Sequence, residues 1–159
     1  MHWMILPFKR YFDFEGRSRR MEFWMFALLN TVVFAVLAGP LFYSAFFAVV
    51  DAELAGRGED AAAEALFDAM TGFAGVGLGF YGLYALATLI PNIAVTVRRL
   101  HDRNMSGWWY LGFIVGGMLP FVGFLSSLAF LVIMFLPGND GPNRFGPDPK
   151  KLYEEDVFA

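Results

Sequence analysis

The chain has 159 residues and a mean hydropathy of +0.50, with 57% hydrophobic, 18% aromatic and 17% charged residues, whereas soluble domains are about 45–50% apolar and about 25% charged. It contains no cysteine, which excludes disulfides, thiolate catalysis and cysteine-ligated zinc or iron–sulfur sites. The formal net charge of −3 conceals a segregation of acids and bases along the chain, so their positions carry more meaning than their sum.

Residues 1–22 are a basic juxtamembrane segment, in which Trp3 to Leu6 is too short for the apolar core of a signal peptide. The first long apolar run is therefore expected to be an uncleaved anchor. That run, residues 23–50, holds 28 residues without a charge, more than the roughly 20 a helix needs to cross a hydrocarbon core. Gly39-Pro40 predicts a kink in it. Residues 51–68 carry six acids and one base, Arg57, and form an aqueous loop whose alanines suit a short surface helix.

Residues 69–97 make a second uncharged run of 29 residues, with Gly72, Gly75, Gly79 and Gly82 on one helical face. Such a face predicts close packing against another helix. Near its inner end Pro91 frees the carbonyl of Ala87, and Asn92 beside it reads as the satisfied amide of a packed kink. Residues 98–105 are a basic loop. A third uncharged run of 36 residues follows; as a straight helix it would reach roughly 54 Å against a core of roughly 30 Å, so it must turn. Leu119-Pro120-Phe121-Val122-Gly123 is the expected turn of a hairpin over residues 106–136, with arms 106–119 and 124–136. Arms this short leave a thinned transmembrane hairpin and a re-entrant one both open. Residues 137–159 begin with proline and glycine turn chemistry and form a tail.

With two spans and a hairpin, eleven of the twelve Lys and Arg residues fall on one side, as the positive-inside rule requires of a cytoplasmic face. The expected fold is thus an all-α membrane protein, a polytopic helical bundle of two long spans plus a short transmembrane or re-entrant hairpin. It is expected in a bacterial cytoplasmic (inner) membrane, multi-pass, with both termini cytoplasmic.

Three stretches look specified rather than merely apolar: Phe14-Glu15-Gly16-Arg17-Ser18-Arg19-Arg20-Met21-Glu22-Phe23-Trp24, then Arg98-Arg99-Leu100-His101-Asp102-Arg103-Asn104-Met105-Ser106-Gly107-Trp108-Trp109, and Pro137-Gly138-Asn139-Asp140-Gly141-Pro142-Asn143-Arg144-Phe145-Gly146. In this order they resemble the bacterial inner-membrane family known as domain of unknown function 805, over nearly the whole chain. The resemblance implies a small inner-membrane protein and leaves its activity open.

All three stretches share the expected cytoplasmic face, so Arg17, Arg19, Arg20, Arg98, Arg99, Arg103 and Arg144 are expected to ring a mouth lined by Trp24, Trp108 and Trp109. Guanidinium forks suit bidentate binding of phosphate or carboxylate. The alternative is that these bases serve orientation alone. Arg98 and Asp102, four apart, are the expected ion pair, and Glu22 is expected to pair with Ser18 or Arg19 as a solvated boundary contact. Ser106 reads as a helix N-cap or, with His101, as a hydrolase nucleophile and base. With two histidines no metal site is expected, and no cofactor.

The leading expectation is a non-catalytic protein whose rim binds an anionic lipid headgroup or an acidic partner. A small transporter or channel subunit and a membrane-interfacial hydrolase using His101 are the alternatives. Membrane lipids, a second copy or another membrane protein are the expected partners, and nucleic acid is not.

Overall fold

The computed structural model describes residues 2–150; Lys151, counted above among the bases of the tail, lies outside them. Among the described residues there are seven α-helices and no strand: α1 His2–Lys9, α2 Arg20–Leu37, α3 Gly39–Leu54, α4 Gly58–Thr71, α5 Phe73–Asp102, α6 Trp108–Met118 and α7 Val122–Phe135. Helices α2 and α5 are long and apolar enough to cross a membrane. The chain forms two compact units, Leu28–Thr88 and the described residues on either side of it.

In the unit Leu28–Thr88, the expected kink of the first apolar run is a one-residue interruption at Ala38, which keeps helical backbone geometry. Helix α2 ends at Leu37, Ala38 is completely buried, and α3 starts at Gly39 with Pro40 in its first turn. A proline is tolerated there because its missing N–H would be an orphan anyway. Helix α3 packs along α4, and between them Gly56 adopts φ +62°, a left-handed conformation that favours glycine. Much of the expected acidic loop is therefore helical.

Helices α2 and α5 meet within this unit. Tyr84 donates a 3.0 Å hydrogen bond to Asn30 Oδ1, and Phe34 meets Tyr81 edge to face at 5.2 Å. The glycine seam differs from the expected one. A Cβ on Gly77 would lie 2.3 Å from the carbonyl oxygen of Leu37, and one on Gly75 would strike Met70, whereas Gly79 and Gly82 are exposed with nothing within 4 Å of an added Cβ. The close approach uses the turn next to the α4–α5 junction, and most of the expected stripe looks outward.

In the other unit, Phe26, Val95, Leu100 and Met134 are buried together with Leu6. The short helix α1, not expected from its sequence, inserts Leu6 and Pro7 and sets Phe8 edge to face on Phe26 at 5.3 Å. Helices α6 and α7 pack as a hairpin. Its tip lies at Leu119–Phe121, where Phe121 has φ +65°. A Cβ on Gly116 would come within 2.8 Å of Ser126 Oγ, and that hydroxyl donates to Phe113 O at 3.0 Å. With 11 and 14 residues, the arms reach about 16 and 21 Å. Large apolar side chains point outward, among them Leu83, Leu86 and Phe124, which is the arrangement expected where lipid is the solvent.

Candidate functional site

Polar residues from all three motif stretches meet around a buried core of Arg17, Ser18, Glu22, Arg98, Arg99 and Asp102. Gly16 turns the chain at φ +74°, after which Ser18 N donates to Arg98 O at 3.1 Å and ties the segment before α2 to the end of α5. Ser18 Oγ donates to Glu22 Oε2 at 2.6 Å, and the other carboxylate oxygen of Glu22 accepts from Arg98 Nη2 at 2.8 Å. Arg98 also donates to the carbonyls of Asp13 and Arg10. Burial works against the charge of Asp13, but the hydrogen bond and charge of Arg10 outweigh it and hold this carboxyl below its ordinary pKa.

Asp102 is the second hub. Its Oδ1 accepts from Arg17 Nε at 2.9 Å, and its Oδ2 accepts from Arg99 Nη1. Arg17 continues to the carbonyls of Asn139 and Gly141, so one guanidinium joins a carboxylate on α5 to two turns of the tail. Gly138 sits against this carboxylate so closely that a Cβ there would lie 1.9 Å from Oδ2. Arg98 and Arg99 have no exposed surface, Arg17 is 5% exposed, and Glu22 and Asp102 are 2% and 4% exposed. Three buried guanidiniums therefore face two buried carboxylates, and backbone carbonyls accept from several of their remaining N–H groups, while the Nε of Arg98 and of Arg99 are buried with no hydrogen-bond partner among the described residues.

The end of α7 explains why those carbonyls are available. The last carbonyls of a helix lack intrahelical donors, and Pro137 has no N–H to offer them. Arg99 donates to Met134 O and Leu136 O, Arg20 to Phe135 O at 3.2 Å, Arg103 to Pro137 O, and the indole of Trp24 to Met134 O at 3.3 Å. Cationic groups at this negative end of the helix dipole are favourable as well. Trp24 also stacks on Phe135 at 4.1 Å.

The tail is held in the same manner. Asn139 N donates to Asp102 O at 2.9 Å, and Asn143 Nδ2 donates to His101 O at 2.9 Å. Phe145 stacks on the His101 imidazole at 3.9 Å with an interplanar angle of 4°, and Arg144 lies 4.6 Å from the Phe145 ring centroid while donating to Asn104 O. Asp148 accepts from the backbone N–H groups of Gly141 and Lys150. Burial raises its pKa, but those hydrogen bonds and the charges of Arg17 and Lys150 prevail and leave it lowered.

Several expectations change on this geometry. Arg17, Arg98 and Arg99 do not ring a solvent-facing mouth; they are interior, where the carboxylates of Glu22 and Asp102 and carbonyls of the adjoining turns accept from them. Arg98 pairs with Glu22 rather than with Asp102, whose side chain turns toward Arg17, Arg99 and Gly138. Glu22 does bond Ser18, but in the interior rather than in solvent. Arg20, Arg144, Trp108 and Trp109 are exposed, and Arg19 and Arg103 are half-buried. Helix α5 runs unbroken through the buried Pro91, and the carbonyl of Asn92 accepts from the Thr96 hydroxyl at 2.7 Å.

His101 Nδ1 faces Gly16 O at 3.2 Å. A carbonyl can only accept, so Nδ1 carries a proton, and no carboxylate among the described residues takes the orienting place a hydrolase needs. Ser106 Oγ lies 3.4 Å from Trp108 N at the start of α6. No group of three or more His, Cys, Asp or Glu residues suited to a metal occurs among the described residues. The roles of Asp13, Gly138, Asp148 and Phe145 were not visible in the sequence, although Gly138 and Phe145 lie inside a stretch it singles out.

A recess of about 190 Å³ lies beside the network, with Arg19, Arg20, Arg99, Lys150, Asp102 and Asp148 among its lining residues. Both acids are already engaged, Asp102 by two guanidiniums and Asp148 by backbone N–H groups. The four bases of the recess exceed its two acids by two formal positive charges, although Arg19, Arg99 and Lys150 are engaged as well.

Residues 11–147 match the family described as Protein of unknown function (DUF805). The chain is 35% identical to Inner membrane protein YhaI of Escherichia coli strain K12 over 151 residues, covering 94% of this chain and 97% of that protein. It is 34% identical to Inner membrane protein YhaH of the same strain over 155 residues, covering 94% and 98%. No solved structure matches it.

Proposed function

This chain belongs to the DUF805 family, with inner membrane proteins as relatives, and from that premise we propose that it is a non-catalytic multi-pass protein of the cytoplasmic membrane whose basic face binds an anionic lipid headgroup. Both termini and the arginine network lie on the cytoplasmic side in this reading, because eleven of twelve bases then obey the positive-inside rule. The observation that carries it is the net-positive recess at the start of α2, where Arg20 spends one donor on Phe135 O and is otherwise exposed. Helix N-termini and guanidinium forks both favour phosphate oxygens. A transporter reading has less support, since residues 23–50 and 69–97 hold no ionisable acid or base.

The test is retention of phosphatidylglycerol by the detergent-purified protein, followed by native mass spectrometry against phosphatidylcholine. Arg20→Gln is expected to lower retention at least tenfold, since a hydrogen bond to a charged group contributes about 1.5–3 kcal/mol. Arg103→Gln removes the same charge outside the recess and should cost only the roughly 1 kcal/mol of diffuse attraction per base. Equal losses in the two variants would reduce the recess to a charge anchor.

A further inference from the structure

A second cavity lies along α6, independent of the basic recess. It has a volume of about 600 Å³, and Ile93, Val97, Leu111 and Ile114 form its apolar walls, with His101, Ser106 and Tyr110 among its polar lining. A smaller hollow of about 330 Å³ shares Tyr110 and Ile114 with it and continues between α6 and α7 past Ser126 and Phe130. These volumes are those of ligand sites, about 300–1,000 Å³. The groove is amphipathic.

Its polar groups specify what would fill it. The Tyr110 hydroxyl has no hydrogen-bond partner among the described residues. Ser106 Oγ accepts from Trp108 N and keeps its own proton to donate. Arg144, beside the Phe145 ring that stacks on His101, adds a positive charge near that part of the groove. The groove thus pairs a wall of hydrocarbon with donors and a cation, complementary to an acceptor-rich, anionic head on a long apolar chain. Sugars or nucleotides would leave the apolar wall unused, and a bare alkane would leave the donors unpaired.

We infer that this groove binds one phospholipid molecule, its acyl chain against Ile93, Val97, Leu111 and Ile114 and its ester and phosphate oxygens at Ser106 and Tyr110. The site rests on membrane residence and not on the basic recess, because none of the recess arginines lines it. A lipid seated here would also cover part of α6 beside α5.

The experiment uses the full-length protein in nanodiscs of dioleoylphosphatidylcholine containing a trace of phosphatidylglycerol with a mid-chain diazirine, with adducts mapped by peptide mass spectrometry after illumination. Adducts per residue on Ile93, Val97, Leu111 and Ile114 should exceed those per residue on Leu83 and Leu86, which face outward on the same helix as Ile93, by at least fivefold. Ile114→Trp, which fills the groove, should abolish that excess while leaving adducts at Leu83 and Leu86 unchanged, which also reports intact insertion. Tyr110→Phe should lower it severalfold without altering packing. Arg20→Gln should leave groove labelling unchanged, which separates this site from the basic recess. Labelling of the groove no stronger than at Leu83 and Leu86, or an excess that survives both groove variants, would mean ordinary annular lipid and would overturn the inference.

Discussion

Replacing Asp102 by asparagine keeps the side chain's volume and removes its charge, leaving the buried Arg17 and Arg99 without their shared counterion. At 2.9 Å from Arg17, the direct attraction at an effective dielectric of about 20 is about 6 kcal/mol, offset by desolvation of both groups. Breaking one buried pair from one side costs about 3–5 kcal/mol. Asparagine also turns an N–H₂ group toward one of the two guanidiniums it must serve, so the upper part of that range is expected. The equilibrium between folded and unfolded protein should shift by about three to three and a half orders of magnitude, since about 1.4 kcal/mol is tenfold. Reversible unfolding in mixed micelles, followed by tryptophan fluorescence, measures this. Asp140→Asn is the control, because its pair with Lys150 at 3.1 Å is exposed and should contribute less than about 1 kcal/mol. If Asp102→Asn costs no more than Asp140→Asn, the network is not what holds this end of the molecule together.

Exchanging Arg17, Arg98 and Arg99 for lysine preserves the charge count, so orientation reporters should read as wild type, yet thermal stability in detergent should fall strongly because lysine cannot serve two or three acceptors at fixed angles; unchanged stability would contradict the hydrogen-bond assignment. Gly77→Ala should destabilise by about 1–3 kcal/mol through its contact with the Leu37 carbonyl, whereas Gly79→Leu should be nearly neutral, and the reverse order would restore the seam expected from the sequence. Because the chain has no cysteine, Phe121→Cys is a clean probe of the hairpin tip; a re-entrant hairpin predicts protection from an impermeant maleimide added outside intact cells, and labelling as fast as at the exposed Ala55→Cys would show a full crossing. Asp13 and Asp148 have lowered pKa values in the folded protein, so their contribution is fully present above the ordinary carboxylate value of 3.8 and is lost as pH falls through their folded values. Melting temperature should therefore change little from these groups between pH 5 and 8 and drop below about pH 4, and Asp148→Asn should flatten the acid limb.

The long apolar runs made the helical membrane class legible, because a span is a property of consecutive residues and needs no partner to be recognised. The three motif stretches were equally visible as specified sequence. What could not be read was who pairs with whom. Arg98 and Asp102 are ideally spaced for an ion pair on one helix, but Glu22, 76 residues away, has the better position for Arg98 once α2 and α5 are side by side. The glycine seam went astray for a related reason. Spacing of three and four identifies a face but not the neighbour it meets, and Gly77, off the expected stripe, is where the Leu37 carbonyl approaches. Burial of the arginines was hidden because a basic cluster beside a span satisfies the positive-inside rule whether it is solvated or enclosed.

The network also accounts for the preponderance of arginine over lysine at this end of the chain. Lipid offers little hydrophobic drive to bring helix ends together, so a bundle with outward apolar faces needs another means of fixing its termini. Arg17 links Asp102 to Asn139 and Gly141, Arg98 links Glu22 to the turn at Asp13, and Arg99 links Asp102 to the end of α7. Each guanidinium joins segments far apart in sequence, with carbonyls exposed by proline and glycine serving as anchors. The same residues that a charge count assigns to orientation thus close the fold, which leaves exposed Arg20 as the base on which the proposed headgroup binding is best tested.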